Sequence, residues 1–516
     1  MLKRAGASVR TITQPLRPQV RHPIEMVSVD LGAQSGRVAL GSFDGRRLEV
    51  SEVHRFPNVP VRVHDRLQWD ALQLYAGVLD GMRAATRQSG TSVVSVAVDG
   101  WGVDFALLDR SGRLLQNPVH YRDRRTESAF REVCAQVPAR QLFARTGIQL
   151  MPINTIYQLW SMVAGQDPVL DVAKDLLLMP DLFHYWLSGV ARRELTEATT
   201  TQCYDPVAGD WAWDLLERLG LPSHLFGEIV APGTILGDLR PEVAEDTGLT
   251  GAAVISPASH DTASAIAAVP FREPGSAYVS SGTWSVVGTE VTRPVIDDRS
   301  FSANLTNEGG PSGTFQLMSN ATGLWLLHEC QRTWEQHGHR WEFSELAALA
   351  GAAPPLASLV DPNAAAFVAP GDMPGRIADW CRRTGQEVPE GPGEMVRCLL
   401  ESLTLVYRQT IELLTAVSGV SPPAVHIVGG GSRNELLCQW TADATGLPVW
   451  AGPTEASEVG NLLVQAMALG ELGSLEDARA VAGESFSPVL YEPCQPGPWD
   501  EAYGRFKQLN QAGMVT

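Results

Sequence analysis

The hydrophobic pattern changes period several times along the chain, and each change marks an element. Met26–Asp30, Arg37–Phe43 and Leu48–Phe56 carry the short apolar runs of three successive strands. Gly32-Ala33-Gln34-Ser35-Gly36 joins the first two, and Asp44-Gly45, a strong hairpin dipeptide, joins the next two. Residues 70–87 then show the spacing of an amphipathic helix, and Val93–Val98 is a continuous apolar run suited to a buried strand. That run ends in Asp99-Gly100-Trp101-Gly102. Val103–Leu108, followed by Asp109-Arg110-Ser111-Gly112, reads as a further hairpin arm.

A similar order returns later. Ala277–Ser281 and Trp284–Thr289 predict a strand pair around Ser281-Gly282-Thr283. Helix 394–417, strand Val425–Val428, the turn Gly429-Gly430-Gly431-Ser432, helix 434–445, a strand from Val449 and helix 455–469 follow. Strand–turn–strand, then helix–strand–glycine turn, therefore occurs twice. This predicts an α/β protein of two related halves with a cleft between them, where sites are common. Residues 300–390, rich in Pro, Ala and Gly at 351–375, read as an insertion in the second copy.

One stretch organises the rest. Val254-Ile255-Ser256-Pro257-Ala258-Ser259-His260-Asp261-Thr262-Ala263-Ser264-Ala265 starts as a strand and ends in small helix-forming residues. Its polar group falls at a strand-to-helix turn, the end of a sheet where α/β proteins hold ligands. Asp261 could take a proton there, and the helix N-terminus could hold an anion. Asp261 could equally be the helix N-cap, and this stretch alone leaves both readings open.

Composition narrows the field. At 516 residues the chain exceeds a single core, and 44% hydrophobic with 19% charged residues describes a globular protein. The net charge of -18 argues against a nucleic-acid surface, while a few local donors can still bind phosphate. No apolar run approaches the ~18 residues of a membrane span. Seven scattered cysteines without a Cys-x-x-Cys pair disfavour zinc and a secreted disulfide framework, and suggest the cytosol. Whether Cys381 and Cys398 pair stays open. Residues 1–23 hold five basic residues (Lys3, Arg4, Arg10, Arg17, Arg21) and no acid; they read as a disordered leader.

Asp30-Leu31-Gly32-Ala33-Gln34-Ser35-Gly36-Arg37 closes a hairpin with small residues, so backbone N–H groups can approach phosphate closely. Arg37 can add a charge-assisted bond, and Asp30 can hold Mg²⁺ directly or through water. The run lacks the P-loop pattern and the Gly-x-Gly-x-x-Gly fingerprint, and Gly429–Asn434 lacks the third glycine of the latter. Ser280-Ser281-Gly282-Thr283-Trp284-Ser285 supplies the counterpart turn. Two such turns, a glycine turn before a helix and a carboxylate at a strand end suit phosphoryl transfer from a nucleotide in a cleft.

Nine runs in one order carry a more specific resemblance: Asp30–Arg37, Trp101–Phe105, Tyr121–Thr126, Met179–Leu182, Ser259–Ala265, Ser280–Ser285, Asn307–Gly310, Gly323–Leu327 and Gly429–Asn434. With them the chain resembles the FGGY-type carbohydrate kinases of the actin-like ATPase superfamily, and among those the kinases of L-rhamnulose. The resemblance implies two ribonuclease-H-like domains, residues 24–268 and 269–516, closing on sugar and ATP, with γ-phosphate transfer to O1 of L-rhamnulose. It implies Asp261 as general base, with Gly102, His260, Thr262 and Asn320 on the sugar. Ala33, Gln34, Ser35, Gly36, Arg37, Thr283 and Gly430 would face ATP, and Asp30 would serve Mg²⁺. His328 stands where the family run carries a Gln facing the nucleotide, and its ring can replace one amide hydrogen bond but not both.

Structural alternatives stand beside these roles. Tyr121–Thr126 could be a solvated basic turn, and Trp69, Trp101, Trp284 and Trp325 read as core. The competing functions are a kinase for a related ketose, such as L-fuculose or a pentulose, and a non-catalytic sugar- or ATP-binding regulator. The partners are a ketose and ATP, with no nucleic acid or membrane, in a monomer or small homo-oligomer.

Overall fold

The computed structural model describes residues 23–367, 369 and 371–513, with side chains as far as residue 509. The expectation for the leader therefore falls, except for residue 23, outside the described residues.

The first six strands of interest are β1 (Ile24–Leu31), β2 (Ser35–Phe43), β3 (Leu48–Pro57), β4 (Val93–Gly100), β5 (Thr234–Asp238) and β6 (Ala253–Ser256). They form one sheet in the order β5-β6-β4-β1-β2-β3. The meander β1-β2-β3 is antiparallel, whereas β4 lies parallel to both β1 and β6. All eight residues of β1 are buried, as expected of a strand covered on both faces. Helix α1 (Ala71–Gln88) covers the meander, started by the Asp70 carboxylate accepting the Gln73 N–H.

The second sheet repeats the plan. Its strands are β7 (Ala277–Ser281), β8 (Trp284–Val291), β9 (Thr306–Gly309), β10 (Phe315–Thr322), β11 (Val425–Val428), β12 (Val449–Ala451) and β13 (Val489–Tyr491). Their order is β9-β10-β8-β7-β11-β12-β13. β7, β8 and β10 form the antiparallel meander, while β11 joins β7 and β12 in parallel. Residues 306–322, inside the expected insertion, are thus two strands of the sheet: β10 takes the place that β3 has in the first domain. Helical and irregular segments, including α2 (Trp325–Gln336), fill the remainder up to the long helix α3 (Pro392–Ser418).

Phe105–Leu108 also differs from expectation. It turns back at 109–113 with a single bridge, Leu108 to Leu114, and its main partner is Asp175–Leu178 outside the large sheet. The local turn residues were legible, but the better partner lies about 70 residues away along the chain.

The two domains share a seam. Asp261–Ala267 forms a short helix after β6, and α4 (Ala456–Ala468) crosses it from the C-terminal half. A Cβ at Gly460 would meet the Ser264 carbonyl oxygen at 1.7 Å, so only glycine allows this approach. Ile24, Met26, Ile266, Tyr278, Val428 and Leu462 form one buried cluster drawn from both domains. Among the described residues no helix is long and apolar enough to cross a membrane.

Candidate active site

The C-terminal ends of three parallel strands converge on one point. Asp30 on β1 is in register with Asp99 on β4, and Gly100 bridges to His260 beyond β6. The next residue, Asp261, is the first of its helix; His260 holds the cap position and makes no side-chain capping bond. Asp261 is therefore not the N-cap, and its carboxylate is released from that local duty. Its side chain is 32% exposed at the cleft, and protein surrounds the rest. Burial raises its pKa above the ordinary carboxylate range, while the neighbouring His260 pulls it back.

The short helix Leu195–Thr200 ties Gly102 to His260. Thr200 Oγ1 accepts the Val103 N–H at 3.0 Å, and Thr196 Oγ1 accepts the His260 N–H at 3.0 Å. A Cβ on Gly102 would lie 2.8 Å from Thr200 Cγ2, so the glycine is required by packing. Val103 is held at φ 68, a left-handed conformation costly for a β-branched residue. Its carbonyl accepts bonds from Thr155 and Gln158, which fix the turn. Beneath it Asp104 accepts from Trp69 Nε1, Trp101 Nε1, the Tyr121 N–H and Gln158 Nε2. Burial nevertheless lifts Asp104 to about 6. The Trp residues at 69 and 101 are thus core, as expected, and they are ordered by the carboxylate of the Trp101–Phe105 run.

The first hairpin is charged. Arg37 bonds Asp30 at 2.6 Å and reaches Glu458 of α4 at 3.0 Å, with Glu455 on the same nitrogen. Its two terminal nitrogens are therefore engaged by carboxylates of both domains. Asn58 donates from its backbone N–H to the Gln34 carbonyl and from Nδ2 to the Gly32 carbonyl, pinning the turn. Burial lifts Asp30 to about 6, and Asp99 is pushed well above the carboxylate range by burial and by Asp30. One Asp99 oxygen accepts from Asn461, and the other is buried without a partner. This gathered negative charge, with an unpartnered carboxylate oxygen, fits a divalent cation held partly through water and phosphate. No three His, Cys, Asp or Glu side chains among the described residues form a closed metal-ligand set.

The second hairpin carries no charge. Ser281 and Ser285 hydroxyls lie 3.2 and 2.7 Å from the buried Tyr407 hydroxyl of α3. The Trp325 N–H donates to the Thr283 carbonyl, which sets the start of α2 against the hairpin. A Cβ on Gly323 would meet Ser285 Oγ at 2.6 Å, and one on Gly431 would meet Ser281 Oγ at 2.1 Å. Gly430, by contrast, has open space where a Cβ would stand. His328 lies one turn into α2 with a T-shaped contact to Phe343, and burial lowers its pKa, keeping the ring neutral.

Contacts across the cleft complete the site. Gln149 Oε1 accepts from the Asn320 N–H and Nδ2 at 3.4 and 3.3 Å. The Arg122 guanidinium of the Tyr121–Thr126 run lies 5.4 Å from the Trp284 ring and 5.0 Å from the Trp325 ring. That run is a cross-domain contact and not merely a solvated turn. Gly102, His260, Asp261 and Thr262 belong to the N-terminal domain, while Thr283, Gly430 and His328 belong to the other, with Asn320 on its sheet. Nothing local in sequence points to Gln149 or Tyr407, because their partners lie more than 100 residues away. All seven cysteines are free thiols, including Cys381 and Cys398.

The chain belongs to the FGGY family of carbohydrate kinases: that family's N-terminal domain matches residues 25–268 and its C-terminal domain residues 277–469. It is 41% identical to a rhamnulokinase of Bacteroides thetaiotaomicron over 93% of this chain and 98% of that one. A rhamnulokinase of Enterococcus faecalis is 39% identical, covering 90% and 94%. Among solved structures, a ligand-bound xylulose kinase from Lactobacillus acidophilus matches with TM-score 0.77 at 15% identity, covering 95% and 98%. A glycerol kinase of Plasmodium falciparum with ADP gives 0.75 at 14%, covering 96% and 99%. At such identities these structures establish the shared two-domain fold.

Proposed function

We propose that the protein transfers the γ-phosphate of ATP to O1 of L-rhamnulose, yielding L-rhamnulose 1-phosphate and ADP in L-rhamnose catabolism. The observation that carries this reading is the Asp261 carboxylate, freed from capping and facing the cleft, in a chain so similar to rhamnulokinases. Asp261 accepts the O1 proton as the oxygen attacks the γ-phosphorus, and the bond to the bridging oxygen of ADP breaks. His260, Thr262, Asn320 and the backbone at Gly102 read the sugar hydroxyls. Ala33–Gly36, Thr283 and Gly430 orient the phosphates, with His328 beside the nucleotide. Arg37, whose terminal nitrogens are taken by Asp30, Glu455 and Glu458, fixes the turn instead of reaching ATP. Asp30, helped by Asp99, would hold Mg²⁺, which when bound neutralises charge on the β- and γ-phosphates. Contacts such as Gln149–Asn320 and Arg122–Trp325 hold the cleft shut and exclude water, which suppresses ATP hydrolysis.

The test is a panel of ketoses assayed with ATP and Mg²⁺. L-Rhamnulose should give the highest kcat/KM. A ketose lacking only the terminal methyl should be accepted, since a methyl group is worth ~1–3 kcal/mol, whereas inversion at C3 or C4 leaves buried polar groups unpaired. Preference for L-fuculose or a pentulose would replace the substrate assignment, and no transfer to any ketose would leave a non-catalytic binder.

A further inference from the structure

The run Asn307-Glu308-Gly309 has no part in the chemistry above, yet it lies where the domains meet. Its strand, β9, is the edge of the C-terminal sheet. Three consecutive residues reach the N-terminal domain. Asn307 donates from its N–H and from Nδ2 to the Gly147 carbonyl at 2.9 and 3.0 Å. The Gly309 N–H donates to Thr199 Oγ1 at 2.9 Å. Between them, a Glu308 carboxylate oxygen lies 3.1 Å from Nδ1 of His260. The contact is close but off the line of a well-aligned hydrogen bond.

A carboxylate this buried is costly without partners: Thr306 Oγ1 donates to its Oε1 at 3.4 Å, and His260 lies against its Oε2. The pairing also orients the ring. With Nδ1–H toward Glu308, Nε2 is left on the Asp261 side, 3.6 Å from its Oδ1. In the neutral ring that nitrogen is an acceptor for a hydroxyl; in the charged ring it is a donor. The backbone of His260 is already fixed from its own domain by Thr196. Its ring is fixed from the other domain.

We propose that Glu308 is a positioning residue for the sugar. Reaching from the C-terminal domain, it sets the ring of His260 so that Nε2 meets a ketose hydroxyl only when the two domains are together. The inference rests on His260 being a sugar contact.

Steady-state kinetics of full-length variants test it, using L-rhamnulose or whichever ketose the unmodified protein phosphorylates fastest. Glu308→Gln keeps size and an acceptor but loses charge; Glu308→Ala loses both. Sugar kcat/KM should fall about tenfold in the first and up to about 100-fold in the second, the scale expected when a contact is displaced. The KM for ATP and the melting temperature of Glu308→Gln should stay close to the unmodified values. His260→Gln combined with Glu308→Gln should lose no more than His260→Gln alone, since the carboxylate then has no imidazole to orient. Unchanged sugar kcat/KM, a double variant showing the product of the single losses, or a loss confined to ATP would each overturn the proposal. If Glu308→Ala does not fold, the cycle built on Glu308→Gln decides. Inactivity on L-rhamnulose with activity on another ketose overturns the substrate assignment alone, because the ratios are then taken on that ketose.

Discussion

In the N-terminal domain the hairpin between the first two strands is flanked by Asp30 and Arg37, and two glutamates from the other domain converge on the arginine. In the C-terminal domain the equivalent hairpin is flanked by Ser281 and Ser285, which share a tyrosine hydroxyl. The strand order around both is the same. One turn is held by charge and sits beside two carboxylates of raised pKa; the other is held by glycines that let hydroxyls and backbone pack closely. A repeated fold has thus kept its geometry and divided its polar character: a cluster of charges around one turn, neutral hydroxyls around the other.

The largest effect should come from the charged side. Asp261→Asn keeps shape but removes the base, so kcat should fall by ~10²–10⁴. Nucleotide affinity by titration calorimetry should persist, and near-normal turnover would place the base elsewhere. Asp30→Asn should lower kcat by ~10²–10³, the scale of losing one group aimed at transition-state charge. It should also raise the Mg²⁺ concentration needed for half-maximal rate; a change in sugar KM alone would reassign the residue.

The neutral side should respond to volume and not to charge. Gly431→Ala should raise the KM for ATP about tenfold by overpacking against Ser281, and Ser281→Ala in the same protein should recover part of the loss. Failure of that rescue would mean the turn is strained by more than one contact. Asn320→Ala should lower sugar kcat/KM and spare the ATP KM; the reverse would move Asn320 to the nucleotide side.

Smaller shifts should appear in the pH profile and in stability. With Asp261 as the proposed base, kcat/KM should fall as pH drops through its pKa, which burial holds above the ordinary carboxylate range. His260 acts to lower that pKa, so His260→Asn should move the acid limb to higher pH. A limb that moves down would show that His260 does not carry positive charge beside the base. Tyr407→Phe should cost about 1 kcal/mol of stability by denaturant unfolding, since Ser281 and Ser285 lose a shared partner.

The parts legible in the sequence are those whose signal is local. Strand Val425–Val428 is legible to the residue because a β-branched run, broken only by His426, ends abruptly in glycines. The repeat emerged because both halves punctuate strands with small residues in the same order. Thr306–Gly309 has no apolar side chain and Phe315–Thr322 mixes polar with apolar ones, so neither carries a strand pattern; both are held by pairing with neighbouring strands. The hydroxyls of Ser281 and Ser285 were visible as candidates, but the tyrosine beneath them belongs to a helix 122 residues later than Ser285. Glu308 stood within a motif, and nothing local in sequence says that its carboxylate ends beside a histidine of the other domain.

Helix α4 also has a bearing on how the chain is assembled. Gln465 donates to the Val27 carbonyl and accepts from Ser95, and Asn461 donates to Asp99, so this late helix satisfies buried polar groups on the earliest strands. During synthesis those strands emerge some 360 residues before their partners, with Ser95 and Asp99 still wet and the apolar seam uncovered. The first domain therefore has to wait, half-finished, for the second. A ribosome stalled between the two would leave a sticky intermediate for chaperones to hold.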